Sequence, residues 1–474
     1  MTICPLRRGA LKSARILLSA LIPVVTLIGC HEGGSGRYTV VGYFDTLGGT
    51  LRGLVGSGLT LQNGTTTQFN GPGANGTNVQ FSTANFNTSY DLTVATQPTN
   101  PSQTCLVANG TGTASGSLAS PSNVTNITVT CTTNPPRFFY VANRGSNNVS
   151  AYTVDAARGT LTVIAGSTFA AGNLPVAIAV DPTGTYAYVA NQTDATISAF
   201  TIDRGSGALT AVKGSPFPTG PAPTSVAIDP TSSFVYVTSS DAGTVSAYSI
   251  NSDGALTAVT GSQVATGTTP SSVTVGYYPD TFYVYVTNQG DGTLAAFTAN
   301  GSNNNSSGVL TAISGSPFAV GTGPRAVTVD PSGQYVYVAN ATSNTLSGYN
   351  FNNNNQGTPA VLSGSPYKTG SSPNSVAVDP LDNYVYVANE DSNNISAYAL
   401  ATSGALTALA GSPFAAGDEP SAIAVDPTGS FLYVANASGT VSVFAITAGT
   451  GALSAVSGSP YTAGTLPSAI AISD

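Results

Sequence analysis

The chain has 474 residues, with 13 Lys+Arg against 21 Asp+Glu for a formal net charge of −8, and only 7% of its residues are charged. So few cations leave no basic stripe for a phosphate backbone, which argues against nucleic-acid binding. With 4 Cys and a single His, His31, it cannot assemble a zinc or haem site, so no metal and no cofactor are expected.

Residues 1–29 read as a signal peptide rather than as part of the fold. Arg7, Arg8, Lys12 and Arg15 form a basic start, and the apolar stretch from Ile16 to Ile28 is broken by Pro23 and too short to span comfortably. Leu27-Ile28-Gly29-Cys30 resembles the lipobox of bacterial lipoproteins. That resemblance implies cleavage before Cys30 and acylation of its thiol and amine, leaving residues 30–37 as a lipidated tether. At ~0.8 kcal/mol per buried CH₂, several acyl chains anchor stably where one does not. His31 stands where an Asp would resemble an inner-membrane retention signal, so the expected location is the cell envelope, lipid-anchored at the outer membrane. The four basic residues leave with the signal, so the mature chain carries 9 Lys+Arg against 21 Asp+Glu.

Residues 38–134 read as a small β-sandwich. Alternating segments such as Tyr38–Gly42, Leu59–Leu61 and Tyr90–Val94 sit between Gly/Asn/Thr turns. Gly56–Asn63 and the segments around Cys105 and Cys131 resemble a domain common in bacterial envelope lipoproteins. An exported cysteine pair 26 residues apart reads as a disulfide, worth ~3–4 kcal/mol by loop entropy. Gly71-Pro72-Gly73-Ala74-Asn75-Gly76 matches the dinucleotide G-x-G-x-x-G string, but no helical pattern follows it, so it reads as a loop. Asn134-Pro135-Pro136 forms a stiff joint.

From residue 135 onward the chain repeats. A unit close to Tyr-Val-Ala-Asn begins at Tyr140, Tyr188, Tyr236, Tyr285, Tyr337, Tyr386 and Tyr433, with gaps of 48, 48, 49, 52, 49 and 47 residues. Four short strands at such a period make a propeller blade, and seven units make a seven-bladed β-propeller. In the sixth unit, Pro373–Asp379 is the inner strand, Asp379-Pro380 opens a turn, Tyr384–Asn389 is the second strand, Ile395–Leu400 the third and Ala405–Leu409 the last. Gly411-Ser412-Pro413-Phe414 ends that strand. The first unit lacks an inner strand, whereas Pro467–Ile472 is an inner strand with no blade of its own. Pairing them closes the ring and removes two exposed edges. The fold class is therefore all-β: a seven-bladed β-propeller over 135–474, preceded by the small sandwich.

Tyr-Val-Ala-Asn, Asp-Pro-X-Gly and Gly-Ser-Pro-aromatic at fixed offsets resemble the seven-bladed lactonase family, which includes the propeller-type 6-phosphogluconolactonases and, more distantly, YVTN-repeat surface proteins. The resemblance covers residues 137–474. It implies a Gly-Pro-Arg-His at the start of one inner strand and an Asn-Glu after the following second strand, a His–carboxylate pair for ring opening with Arg holding an anionic substrate. Gly323-Pro324-Arg325 matches, but Ala326 stands where the His is implied, and the second strand of that unit ends Asn340-Ala341. Asn389-Glu390 occurs one blade later. Without a His in either folded domain no Ser/His/Asp triad exists, no G-x-S-x-G elbow occurs and no EF-hand loop is present.

Loops that enter inner strands and loops between second and third strands share one face of a propeller. Arg325, Lys368, Glu390, Asp391, Asp418 and Glu419 fall in such loops and are the candidate binding residues of that face. Arg325, Glu390 and Glu419 are the candidates for catalysis. The plainer account is that these are solvated loop charges. Asn143, Asn191, Asn288, Asn340, Asn389 and Asn436 are expected to cap turns, and Phe217, Phe318, Tyr367, Phe414 and Tyr461 to anchor packing rather than stack on sugars. The leading expectation is a monomeric, non-catalytic envelope lipoprotein whose propeller displays a face to an unidentified protein or carbohydrate. The rival is a lactonase working with carboxylates in place of the His, and a third reading is a structural surface-layer component.

Overall fold

The computed structural model describes residues 24–31, 34–41, 45–52, 59–63, 66–70, 76–84, 89–96, 103–113, 124–133, 137–277, 281–300, 306–351 and 359–473. No helix occurs among them. The chain divides into two compact units, Met1–Asn134 and Pro135–Asp474. The joint 134–136 and the Gly-rich string at 71–75 lie outside the described residues, as do residues 1–23 of the expected signal.

In the first unit, two four-stranded sheets bury one core. One sheet runs in the order Gly76–Ala84, Asp45–Arg52, Val124–Thr133, Gln103–Ala108, and the other Thr66–Asn70, Thr60–Asn63, Ser89–Thr96, Thr111–Thr113. Leu47, Leu51, Ile127 and Val129 of the first meet Leu61, Tyr90 and Leu92 of the second. This is the small sandwich expected of alternating apolar segments. Cys105 lies directly opposite Cys131 in the antiparallel pair of Gln103–Ala108 with Val124–Thr133. One feature departs from expectation. Val24–His31, expected to be mostly signal, pairs as a strand with Gly34–Val41, and the two strands include most of the expected tether at 30–37. The β-branched and aliphatic run Val24-Val25-Thr26-Leu27-Ile28 has strong strand propensity.

The second unit holds seven sheets of one pattern. In the sixth, Pro373–Val378, Tyr384–Asn389, Asn394–Leu400 and Leu406–Ala408 lie in order from the inside outward. Tyr384–Asn389 is buried on both faces after its first residue, as its unbroken apolar pattern requires between stacked blades. The outer strand was expected to end at Gly-Ser-Pro. It instead resumes: Phe414–Ala415 pairs back onto Asn394 and Ile395 of the third strand. The interruption leaves an amide of the third strand without a backbone acceptor, and the motif's serine supplies one. Ser167, Ser215, Ser262, Ser316, Ser365, Ser412 and Ser459 each accept through Oγ from a third-strand N–H at 2.8–3.0 Å. The aromatics after the motif pack against the blade cores, as expected of anchors.

Neighbouring blades are stitched by the repeat tyrosines. The hydroxyls of Tyr140, Tyr188, Tyr337, Tyr386 and Tyr433 donate to the carbonyls of Gly207, Gly254, Gly404, Gly451 and Gly159, each in the turn after the third strand of the next blade, at 2.7–3.2 Å. Burial raises these phenols well above their ordinary range. The acceptor must be glycine: at Gly404, φ is +79° and a Cβ would lie 2.4 Å from the Tyr335 ring. The ring closes as the sequence implies. Pro467–Ile472 pairs with Arg137–Asn143, matching Phe139 to Ile472 and Val141 to Ile470. Phe138 N donates to Ser473 Oγ at 2.8 Å, and Arg137 pairs with Asp426 of the last blade at 3.1 Å.

Candidate functional site on the upper face of the propeller

The upper face is made by the loops between second and third strands and by those leading into inner strands. The asparagines that end the second strands do more than cap turns. All six are fully buried. The Nδ2 of Asn191 donates across the turn to Thr196 Oγ1 at 3.1 Å and to Ser198 Oγ at 2.9 Å, while its Oδ1 accepts from Gly172 N of the incoming loop at 3.0 Å. Asn143 and Asn340 join the same three segments. The residue after each asparagine then donates its N–H to the residue preceding the inner-strand proline: Glu390 N meets Ser372 O, and Ala437 N meets Glu419 O, both at 2.9 Å. Those preceding residues have left-handed backbone, with φ of +52° at Ser372, +51° at Glu419 and +63° at Gly323.

In four of the seven inner strands the second position carries a further tie between blades. Thr224, Ser271, Ser421 and Ser468 donate through their hydroxyls to the carbonyls of Pro270, Pro324, Pro467 and Pro175 in the next blade, at 2.7–2.8 Å. In the second, fifth and sixth blades this position is Val176, Arg325 and Asn374. Arg325 reaches across the blade boundary and donates from Nη1 to Glu390 Oε2, both side chains half-buried at 35% and 28% exposure. The two halves of the constellation, separate in sequence, thus meet in space. Ala326, where the resemblance implies a histidine, is half-buried and packs against the core shared by the fifth and sixth blades.

The other candidates do not join this pair. Asp391 accepts from Ser372 Oγ at 2.5 Å and so ties its loop to the one entering the inner strand of the same blade. Lys368, Asp418 and Glu419 are exposed, and Glu419 is held through its backbone, whose N–H donates to Asn393 Oδ1 at 2.8 Å. As a half-buried pair still in contact with solvent, Arg325–Glu390 contributes on the order of 1 kcal/mol or less to stability, so its placement says more about recognition than about folding. Among the described residues no cluster of three His, Cys, Asp or Glu side chains is arranged to hold a metal ion.

The lower face is formed by the turns between inner and second strands. Its Asp-Pro carboxylates are buried and point back into their own turns, where Asp181 Oδ1 accepts from Thr185 N at 2.7 Å and Tyr186 N at 2.6 Å. Asp382, the fourth residue of the sixth blade's turn, is a further carboxylate on this face. Desolvation, then the nearby charges of Asp330 and Asp379, push its carboxyl from 3.8 up to about 6. The folded state therefore holds this proton more tightly than the unfolded state, so the group favours folding at low pH and loses that contribution as pH rises from about 4 through 6. Asp382→Asn is expected to raise the melting temperature at pH 7.5, with the gain vanishing by pH 4. Melts of both proteins at the two pH values check this; a gain that ignores pH contradicts it.

A family model described as lactonase, 7-bladed beta-propeller, matches residues 122–220 and 214–466. No curated protein matches the chain. Among solved structures, it is similar to a protein of Bacteroides uniformis provisionally named a 6-phosphogluconolactonase, with 19% identity, 72% of this chain and 100% of that one covered, and a TM-score of 0.61. A Bacteroides fragilis protein with the same provisional name has 20% identity, 72% and 99% coverage and a TM-score of 0.61. The periplasmic gluconolactonase of Pseudomonas aeruginosa has 18% identity, 72% and 99% coverage and a TM-score of 0.58. At such identities the likeness to these structures concerns the fold.

Proposed function

The chain belongs to the lactonase family of seven-bladed β-propellers, and we propose that it is a non-catalytic member, an envelope lipoprotein whose upper face binds a protein or carbohydrate partner. One observation carries this reading: the carboxylate best placed for chemistry, Glu390, is paired to Arg325, while a methyl group at Ala326 occupies the position of the implied histidine. The Arg325 guanidinium occupies Glu390 Oε2, so that oxygen is engaged by a neighbouring side chain rather than turned toward a substrate. The sole His, His31, belongs to the other unit. The expected result is that sugar and phosphosugar lactones pass unhydrolysed.

A second reading, a lactonase with Glu390 as base and Arg325 as substrate clamp, draws on the same contact, since it brings an Arg and a Glu of adjacent blades together at one mouth of the ring. Turnover that falls in Glu390→Gln would favour it.

The lipoprotein part of the proposal rests on Leu27-Ile28-Gly29-Cys30 and on the facing cysteines. Directly opposed residues of an antiparallel pair have Cα atoms ~4.5–5.5 Å apart, inside the range a disulfide spans. Intact-mass measurement of the membrane-extracted protein is expected to show a chain starting at an acylated Cys30, with Cys105 and Cys131 resistant to alkylation until reduced. A soluble product retaining residues 24–29, or two alkylated thiols without reductant, would contradict it.

A further inference from the structure

On the lower face, remote in the blades from Arg325 and Glu390, lies a cavity of about 610 Å³. Its walls are the ends of four inner strands, Val329, Val378, Val425 and Ile472, together with Ala424 and the prolines of the three turns that follow. Every lining side chain is aliphatic, and the polar part of the surface comes from main-chain atoms. The buried carboxylates of these turns do not line it: Asp330 accepts from Tyr335 N at 2.6 Å, Asp379 from Leu381 N at 3.1 Å and Asp426 from Ser430 N at 2.7 Å.

A break in the repeat sits beside this bowl. In four Asp-Pro turns the third residue is Thr183, Thr231, Ser332 or Thr428, and its hydroxyl donates to the turn's own aspartate. The sixth blade has Leu381 there instead. In that turn Asn383 Nδ2 donates to Asp379 at 3.2 Å in place of the hydroxyl, and the leucine is left 62% exposed, next to Pro380 of the cavity wall. Leu381 leans toward the seventh blade: a Cβ on Gly429 would lie 3.2 Å from its Cδ1. A leucine in the place of a turn-completing hydroxyl adds apolar area at the rim and nothing to the turn.

We propose that this bowl binds a small uncharged apolar molecule, an aliphatic chain or an unsubstituted ring, with Leu381 closing over one side. The volume is within the ~300–1,000 Å³ of small-molecule sites. A charged or polyhydroxylated ligand would lose hydration here and find no side-chain partner, so the site is chemically distinct from the polar upper face.

The test is a titration of the mature full-length protein with the neutral fluorescent probe N-phenyl-1-naphthylamine. Wild type and Arg325→Ala are expected to bind alike. Leu381→Thr restores the hydroxyl of the other turns, so it keeps the fold, and is expected to weaken binding about tenfold, the loss of ~1.4 kcal/mol of aliphatic contact. Absence of saturable binding, equal affinity in Leu381→Thr and wild type, or loss of binding in Arg325→Ala would each overturn the proposal.

Discussion

A chain lacking residues 466–474 is expected to lose cooperative folding altogether. The deleted segment contributes the inner strand that completes the first blade, pairing with Arg137–Asn143. Its removal uncovers Phe139, Val141 and Tyr433, which share one core with Ile470 and Ile472. It also removes Ser473, which bonds Phe138, and Ser468, whose hydroxyl reaches Pro175 O in the second blade at 2.8 Å. At ~1.5–3 kcal/mol for each large apolar side chain returned to water, the loss is ~5–10 kcal/mol, comparable to the whole stability of a typical domain. The open ring would also present two unpaired strand edges. Circular dichroism melts and proteolysis measure the outcome: a broad, non-cooperative transition and rapid digestion. A truncated protein that melts as sharply and as high as the full chain would remove the basis for closure by the terminal strand.

The second large effect is expected at the repeat tyrosines. Tyr386→Ala should destabilise the protein by ~3–5 kcal/mol, the usual cost of deleting a fully buried aromatic ring. Tyr386 is 0% exposed, sits in the core between the sixth and seventh blades, and donates its hydroxyl to Gly451 O at 2.9 Å. Tyr386→Phe isolates the second part of that cost. It keeps the ring but leaves the Gly451 carbonyl without this donor, for ~1–3 kcal/mol. Equilibrium denaturation of the three proteins gives the ordering wild type, Phe, Ala. A Phe variant as stable as wild type would show that the hydroxyl adds nothing between blades.

The tyrosine period and the unpaired terminal strand made the ring and its closure readable before any coordinates, because a 48-residue recurrence specifies a blade and its count. The same period marked Ser412 as constant but could not say what its hydroxyl faces. Its role appears only once the outer strand is seen to break opposite Ala397 N. The offsets of Arg325 and Glu390 put both in loops of one face, yet sequence offsets place a residue within its own blade and carry no information on a side chain's reach into the next. Asn389 read as a turn residue because Asn favours turns; its burial follows from the incoming loop that lies over it. The lower cavity was invisible for a similar reason, since its valines and prolines are what any inner strand and Asp-Pro turn would use.

The central claim is that this lactonase-family propeller carries an Arg–Glu pair from adjacent blades at the mouth of its ring and does not open lactones with it. Its most direct test is hydrolysis of a panel of sugar and phosphosugar lactones by the mature protein, beside Arg325→Ala and Glu390→Gln. The prediction is three identical traces at the uncatalysed rate. Turnover by the wild type that drops in either variant would contradict it and make the Arg325–Glu390 pair a working active site.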